Sequence, residues 1–231
     1  MNEVRQNHDQ QLQRPETISF LEDLVIQRRA TPHFKPDAVP AEVLETALSV
    51  AAQAPSGYNF QPWRFLVLTE LAQRKRLQAA AFGQAKISEA PAVIVAFSQR
   101  EGWKEKVDEI FAIRASQMEK VDLAAQEKSK KAAFDFISHL KPGVWANRQT
   151  MIAFTYLMLA IEAQGWDTAP MEGFDAAAVR SAFDLPADTE VVALLAIGRA
   201  AQPEPPHPGR LPVSEIAYRE RFDTPFTTLN P

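Results

Sequence analysis

Cysteine is absent from the 231-residue sequence. This excludes a disulfide framework, a thiolate metal site and a cysteine nucleophile. It also fits a reducing cytoplasm, so a cytoplasmic location is expected. A basic excess is missing too: Lys and Arg total 25 against 29 Asp and Glu, a net charge of −4. A nucleic-acid binder leaves the opposite footprint. No Gly-x-Gly-x-x-Gly follows an apolar run and no Gly-Lys-Ser/Thr loop exists, so neither helix-start phosphate cradle is available. No Gly-x-Ser-x-Gly elbow marks a hydrolase. No His-Glu-x-x-His or carboxylate–histidine cluster has metal spacing, and no metal is expected. His8, His33, His139 and His207 are scattered over polar or loop segments and read as solvated or locally bonded. The opening "MNEVRQNHDQQLQRPE" has no apolar h-region and is not expected to be a signal peptide. The most apolar helical stretch, Met151 to Ile161, is too short to span a bilayer, so no membrane partner is expected. An enzyme without these reactive groups borrows its reactivity from a cofactor.

What is present is an α/β alternation long enough for one domain. Residues 1–16 read as a flexible arm and 17–231 as a single domain. Ser19 and Glu22 have capping-box spacing, and Leu21, Leu24, Val25 and Arg28 share one helical face, closed by Pro32 and Pro36. A second helix follows Pro40, with Val43, Leu44, Ala47, Leu48 and Ala51 as its stripe. Phe65–Leu68, Pro91–Phe97 and Glu190–Ile197 are the only buried-type strands, and Leu71–Phe82 is helical between the first two. From about 101 to 141 a charge-rich helical excursion carries Val107, Ile110, Phe111, Met118 and Val121 at helical spacings. Trp145–Gln164 is a hydrophobic helix whose stretch Met151–Ile161 lacks a polar face and is expected to be buried on nearly all sides, through dimer contacts. Asp175 caps a short helix, Ala176–Phe183. The proline-rich segment from about residue 200 to 231 reads as an extended arm. With so few strands, a further one from such an arm, the chain's own or a partner's, would cover the sheet edge.

Three segments stand apart. In "IQRRATPHF" two arginines end a helix, where they either compensate its dipole or aim a guanidinium fork at a bound anion. In "APSGYNFQPW", Gly57 permits a turn that a side chain would forbid, while Ser56, Asn59 and Gln61 present hydroxyl and amide groups. These polar groups either satisfy the turn or hold a ligand. In "APMEGFD" a carboxylate and a bare glycine sit between a proline and a helix cap. This is either a helix entry or a loop whose glycine brings a backbone N–H against a flat ligand.

In this order, the three segments resemble the nitroreductase family of FMN-dependent oxidoreductases, from Ile26 to Pro212. The family's Pro-Ser-x-x-Asn-x-Gln-Pro-Trp loop is read at Pro55 to Trp63. "PMEGFDAA" and "VWANRQ" are similar to its oxygen-insensitive, dihydropteridine-reductase-like branch. The resemblance implies an α+β fold: a three-layer α/β/α sandwich with a small mixed sheet, in a domain-swapped homodimer that exchanges C-terminal arms. It implies FMN held by Arg28, Arg29, Ala30, Pro55, Ser56, Gly57, Asn59, Gln61, Lys86, Met171, Glu172, Gly173 and Arg210. Lys86, Glu172 and Gly173 would tune and position the ring, with no acid–base residue, and the amide loop would come from the opposite subunit. NADH or NADPH would be the donor. A small-molecule acceptor such as a nitroaromatic or a quinone would follow in the same cleft by a ping-pong scheme, with Phe134 and Phe136 as candidate walls. Family relatives that dehalogenate phenols or break down flavin share the cradle, and a non-catalytic flavin sensor is the alternative from another class. Three positions depart from the family pattern: Ala30 stands for a common serine, and Pro32 and Pro208 for common basic residues.

Overall fold

The computed structural model describes residues 15–117, 120 and 122–226. The arm of residues 1–14, and Met118 and Val121 of the excursion, lie outside them.

Four strands form one sheet in the order β1-β2-β4-β3: β1 Trp63–Leu68, β2 Ala92–Gln99, β3 Asp167–Met171 and β4 Thr189–Gly198. The sheet is antiparallel throughout, not mixed. The parallel pairing is confined to an isolated bridge, Ala30 to Thr168. The continuous apolar runs of β2 and β4 are central and buried on both faces, and their side chains alternate between two cores. Val93, Val95, Leu194 and Ala196 face one; Ile94, Ala96, Leu195 and Ile197 face the other. The fourth strand comes from the chain's own "DTAPM" and not from the C-terminal arm. Pro170 hid it, because proline lacks a ladder donor. An edge strand tolerates that loss: β3 has β4 on one side and, on the other, the single bridge to Ala30.

The first core is covered by α3 (Leu71–Ala80), α4 (Ala85–Glu89) and α8 (Ala176–Ala182). The second is covered by α2 (Ala41–Ala52) and α7 (Pro142–Ala163). This is a three-layer sandwich. α1 (Pro15–Gln27) starts before Ser19, so the expected capping box lies inside the helix. Its apolar face stays open: Ile18, Phe20, Leu21, Val25 and Ile26 are exposed. The excursion forms α5 (Val107–Ser116) and α6 (Leu123–Ser138), the latter capped by Asp122, which accepts from the N–H groups of Ala124 and Ala125. The two pack over the first half of α7 around Phe60, Phe111, Ile137 and Trp145. α7 buries Trp145, Ala153, Phe154, Leu157 and Ile161, whereas Ile152 and Tyr156 stay exposed, so within one chain it is not enclosed on all sides. The tail runs extended to a single turn, α9 (Val213–Ile216). Among the described residues, no helix is long and apolar enough to cross a membrane.

Candidate functional site

Arg28 and Arg29 follow the last turn of α1, and the Arg28 N–H still donates to the Leu24 carbonyl at 3.1 Å. The Arg29 guanidinium caps that helix end, donating to the carbonyls of Ile26 and Arg28. Dipole compensation is therefore real but incomplete: Arg29 Nε and Arg28 Nη1 are buried without a hydrogen-bond partner. A buried donor left unpaired costs ~1–3 kcal/mol, and more when charged. On the C-terminal arm, Glu204 Oε2 is likewise buried without a partner.

Thr31 straps the turn in place. Its N–H donates to the Thr168 carbonyl at 3.0 Å and its buried hydroxyl to Glu204 Oε1 at 2.7 Å. The first bond fixes the turn to β3, the second to the C-terminal arm. Behind Arg28 lies Glu162 of α7, which accepts the Thr168 hydroxyl at 2.5 Å. Burial, aided by the Asp167 charge, pushes its pKa up to about 7 against the opposing pull of the Thr168 bond and Arg28. Near neutral pH the carboxyl is only partly charged, so it does not fully neutralise the guanidinium.

Lys86 is half-buried on α4. The Gln84 side chain donates to the Gly173 carbonyl at 2.7 Å, and the Asp175 N–H donates to Ala80 at 2.8 Å. His33 pairs with Glu89 at 3.0 Å, tying α4 to the chain just after the arginines. Ala30 and Thr31 are thus tied to β3, Glu172–Gly173 follow its end, and the segment carrying Lys86 is tied to both through Gln84 and Glu89. Met171 is buried in the core, so its side chain faces inward. Glu172 and Gly173 are exposed. Among the described residues the Gly173 N–H has no partner, and a Cβ there would meet only Gln84 Nε2 at 3.5 Å. Arg210 is exposed on the arm.

The amide loop lies elsewhere. Its Gly57 N–H donates to Gln149 Oε1 at 2.9 Å, at the first half of α7. The Ser56 hydroxyl accepts the Gln61 N–H at 3.0 Å, so that hydroxyl serves the turn. Tyr58, Asn59 and Gln61 carry φ of 55°, 60° and 45°. Three side-chain-bearing residues in the left-handed region mark strain of the kind held at binding sites. The expected reason for Gly57 is corrected: its φ is not left-handed, and what excludes a side chain is Trp145, whose Nε1 would lie 3.2 Å from a Cβ. Phe134 packs against the core beneath the loop. Phe136 is exposed, 6.1 Å from the Tyr58 ring. From Gln149 to Glu162 is thirteen residues of helix, or about 20 Å. The loop's anchor on α7 and the carboxyl behind the arginine turn are therefore well separated within one chain.

Sequence reasoning missed Gln84, Gln149 and Thr168, each found through a hydrogen bond between distant segments, and Glu162, which bonds the nearby Thr168 and feels the Arg28 charge. Gln149, inside "VWANRQ", and Gln84, two residues before Lys86 in "FGQAKISEAP", sat in segments already singled out.

The model of the nitroreductase family matches residues 25–199. The chain belongs to the nitroreductase family. Among its relatives is a protein of Thermus thermophilus named NADH dehydrogenase, 34% identical over 83% of this chain and 91% of that one. The iodotyrosine deiodinase of Thermotoga neapolitana is 27% identical over 83% and 94%. A nitroreductase-like protein of Streptococcus mutans superposes with a TM-score of 0.79 at 25% identity, covering 89% of this chain and 100% of that one. A family structure from Exiguobacterium sibiricum, solved in complex with FMN, gives 0.77 at 25% identity, covering 86% and 96%. The match ends at Arg199, so the arm carrying Glu204, His207 and Arg210 lies beyond it.

Proposed function

We propose that the protein is an FMN-dependent oxidoreductase of this family, taking electrons from NADH or NADPH and passing them to a nitroaromatic, a quinone or a related electrophile. The observation that carries the reading is the pair of orphaned guanidinium nitrogens, Arg28 Nη1 and Arg29 Nε, at a turn strapped to the arm that carries Arg210. That donor set fits a monophosphate, and the chain offers no dinucleotide-binding turn. Arg28, Arg29 and Arg210 would hold the phosphate. Ala30, on the outer edge of β3, would lie beside the sugar chain. Lys86, Glu172 and Gly173 would hold the ring.

Bound FMN supplies hydride acceptance and donation, which no side chain here provides. Lys86 would place a positive charge beside the ring and so favour its reduced form. The Gly173 N–H would orient the ring, and the absence of a Cβ would leave its approach open. Pro55, Ser56, Gly57, Asn59 and Gln61 shape a strained, amide-lined wall, with Phe136 at its rim. Since that wall stands about 20 Å from the arginine turn along α7, a complete site takes the wall from a second copy. A homodimer follows, and the open apolar faces of α1, α7 and the arm supply its surface.

The experiment is cofactor release: heating the purified protein should liberate FMN, and the loaded protein should oxidise NADH or NADPH with a quinone or nitroaromatic acceptor. FAD in the extract, or no flavin after reconstitution, would overturn the reading. Dehalogenation of an iodophenol is the second reading, favoured by the deiodinase likeness; turnover of that substrate with no quinone or nitro reduction would replace the first.

A further inference from the structure

We propose that Phe82 is a specificity-determining residue of the same site, an exposed ring against which a flat aromatic acceptor lies. The proposal rests on the FMN reading above. The sequence reads as helical through Phe82, but α3 ends at Ala80 and the chain turns at Phe82 and Gly83, with φ of 55° and 73°. A bulky side chain on left-handed backbone is a genuine outlier. Among the described residues, Tyr58 and Phe82 are the large aromatics held this way; Asn59, Gln61, Asp184, Glu220 and Asp223 are the others that carry side chains. Tyr58 has a local reason, since its ring stacks on buried Phe60 at 5.8 Å. Phe82 has no ring contact among the described residues and is 73% exposed. An exposed phenyl alone needs no explanation. One held on strained backbone does.

The turn is tethered on both sides of that ring. The Ala80 carbonyl accepts the Asp175 N–H at 2.8 Å, and the Gln84 side chain donates to the Gly173 carbonyl at 2.7 Å. Gln78 braces it from within: its carbonyl accepts the Gly83 N–H at 2.9 Å, and its side chain donates to the Gly83 and Gln84 carbonyls at 3.3 Å. Ala81 and Ile87, before and after the turn, are fully buried. The surroundings therefore over-determine a conformation that glycine or asparagine would adopt at less cost. Phe82 lies midway between the two tethers, so the ring is carried beside Glu172–Gly173, and Lys86 follows four residues on.

A ring kept at that cost, and unused by the fold, fits a contact made with a ligand. A flat acceptor at the open approach to Gly173 would cover the phenyl, removing apolar area from water and adding an aromatic contact. A small, hydrophilic inorganic oxidant gains neither. Phe82 thus supplies an aromatic surface from the Gly173 side of the site, as Phe136 does from the amide wall.

The test compares the parent with Phe82→Gly, which removes both ring and strain, and with Phe82→Tyr. Flavin-free Phe82→Gly should melt at or above the parent temperature. In the loaded proteins, the ratio of kcat/KM for naphthoquinone to that for ferricyanide should fall about tenfold in Phe82→Gly, the equivalent of ~1.4 kcal/mol. Naphthoate, a flat aromatic with no reducible group, should bind about tenfold more weakly, read as a perturbation of the oxidised flavin spectrum. Phe82→Tyr should return both values to the parent's. A lower melting temperature for Phe82→Gly makes the ring part of the scaffold and overturns the proposal. A shift toward monomer in light scattering assigns the ring to a second copy and overturns it too. So does an unchanged acceptor ratio, or naphthoate binding equal to the parent's; each of these leaves the FMN site standing. A parent that takes up no FMN, or that reduces no quinone or nitroaromatic, overturns the functional reading and the proposal with it.

Discussion

At the scale of single residues, the site and the scaffold can be separated by substitutions whose structural cost is already visible. Gly173→Ala adds a Cβ that meets only Gln84 Nε2 at ordinary contact distance. Its effect on the melting temperature should stay within about 0.5 kcal/mol in free energy, while FMN binding falls; a large loss of stability without flavin would return Gly173 to a scaffold role. Arg28→Ala and Arg210→Ala each delete a charge-assisted bond worth ~1.5–3 kcal/mol. FMN affinity should drop about tenfold or more, measured by fluorescence titration. Lys86→Met separates binding from reactivity. Loss of ~1–2 kcal/mol of preference for the reduced ring lowers the two-electron potential by about 20–45 mV, readable by dye-equilibrated titration, with a smaller change in binding of oxidised FMN. Glu162 makes a pH prediction. Its folded pKa of about 7 lies above the ordinary 4.5. The folded state therefore holds the proton more tightly, and the associated stability, full at pH 4, is lost as pH rises through 7. Glu162→Gln keeps the neutral form at every pH. Urea melts should show parent and variant alike near pH 4.5 and the variant more stable by ~2 kcal/mol at pH 8.

At the scale of elements, the amide loop and α7 act as a unit. Gly57 is small because the Trp145 indole occupies the space beside it, and the left-handed strain is carried by its neighbours, with Asn59 well suited to that conformation. Gly57→Ala should force the indole to shift, costing about 1 kcal/mol or more, seen as a lower melting temperature. Helices α2 and α7 and strands β2 and β4 were legible because burial on one stripe or on both faces writes a period into the chain. β3 was not, because Pro170 and only five residues look like a loop until an edge position excuses the missing donor. α4 is five residues long and too short to show a period, so Lys86 could be placed only by resemblance. The arginine turn was ambiguous for a different reason. Dipole compensation and anion binding use the same side chains, and only the unpaired buried nitrogens reveal that both apply. Glu162 opposite Arg28 comes from a helix more than 130 residues away, a pairing no local pattern records.

At the scale of the whole molecule, exposed apolar surface is concentrated on α1, on Ile152 and Tyr156 of α7, and on the arm at Leu211, Val213, Ile216 and Phe222. Patches of this kind on separate elements are what a self-complementary interface covers. Light scattering should give a dimer, and Tyr156→Glu should give a monomer that no longer retains FMN; an active monomer at low concentration would oppose a shared site. The separation of the amide loop from the arginine turn along α7 would also have a genetic consequence if the proposed site is shared between two copies. Take one inactive protein damaged only at the arginine turn, Arg28→Ala with Arg29→Ala, and another damaged only in the loop, Gly57→Leu. Neither alone can build a working centre. Unfold and refold them together and half the pairs are hybrids, each with one centre bearing both lesions and one bearing none. Two dead alleles should then complement to about a quarter of the parent activity. If each centre were built within a single polypeptide, mixing would restore nothing.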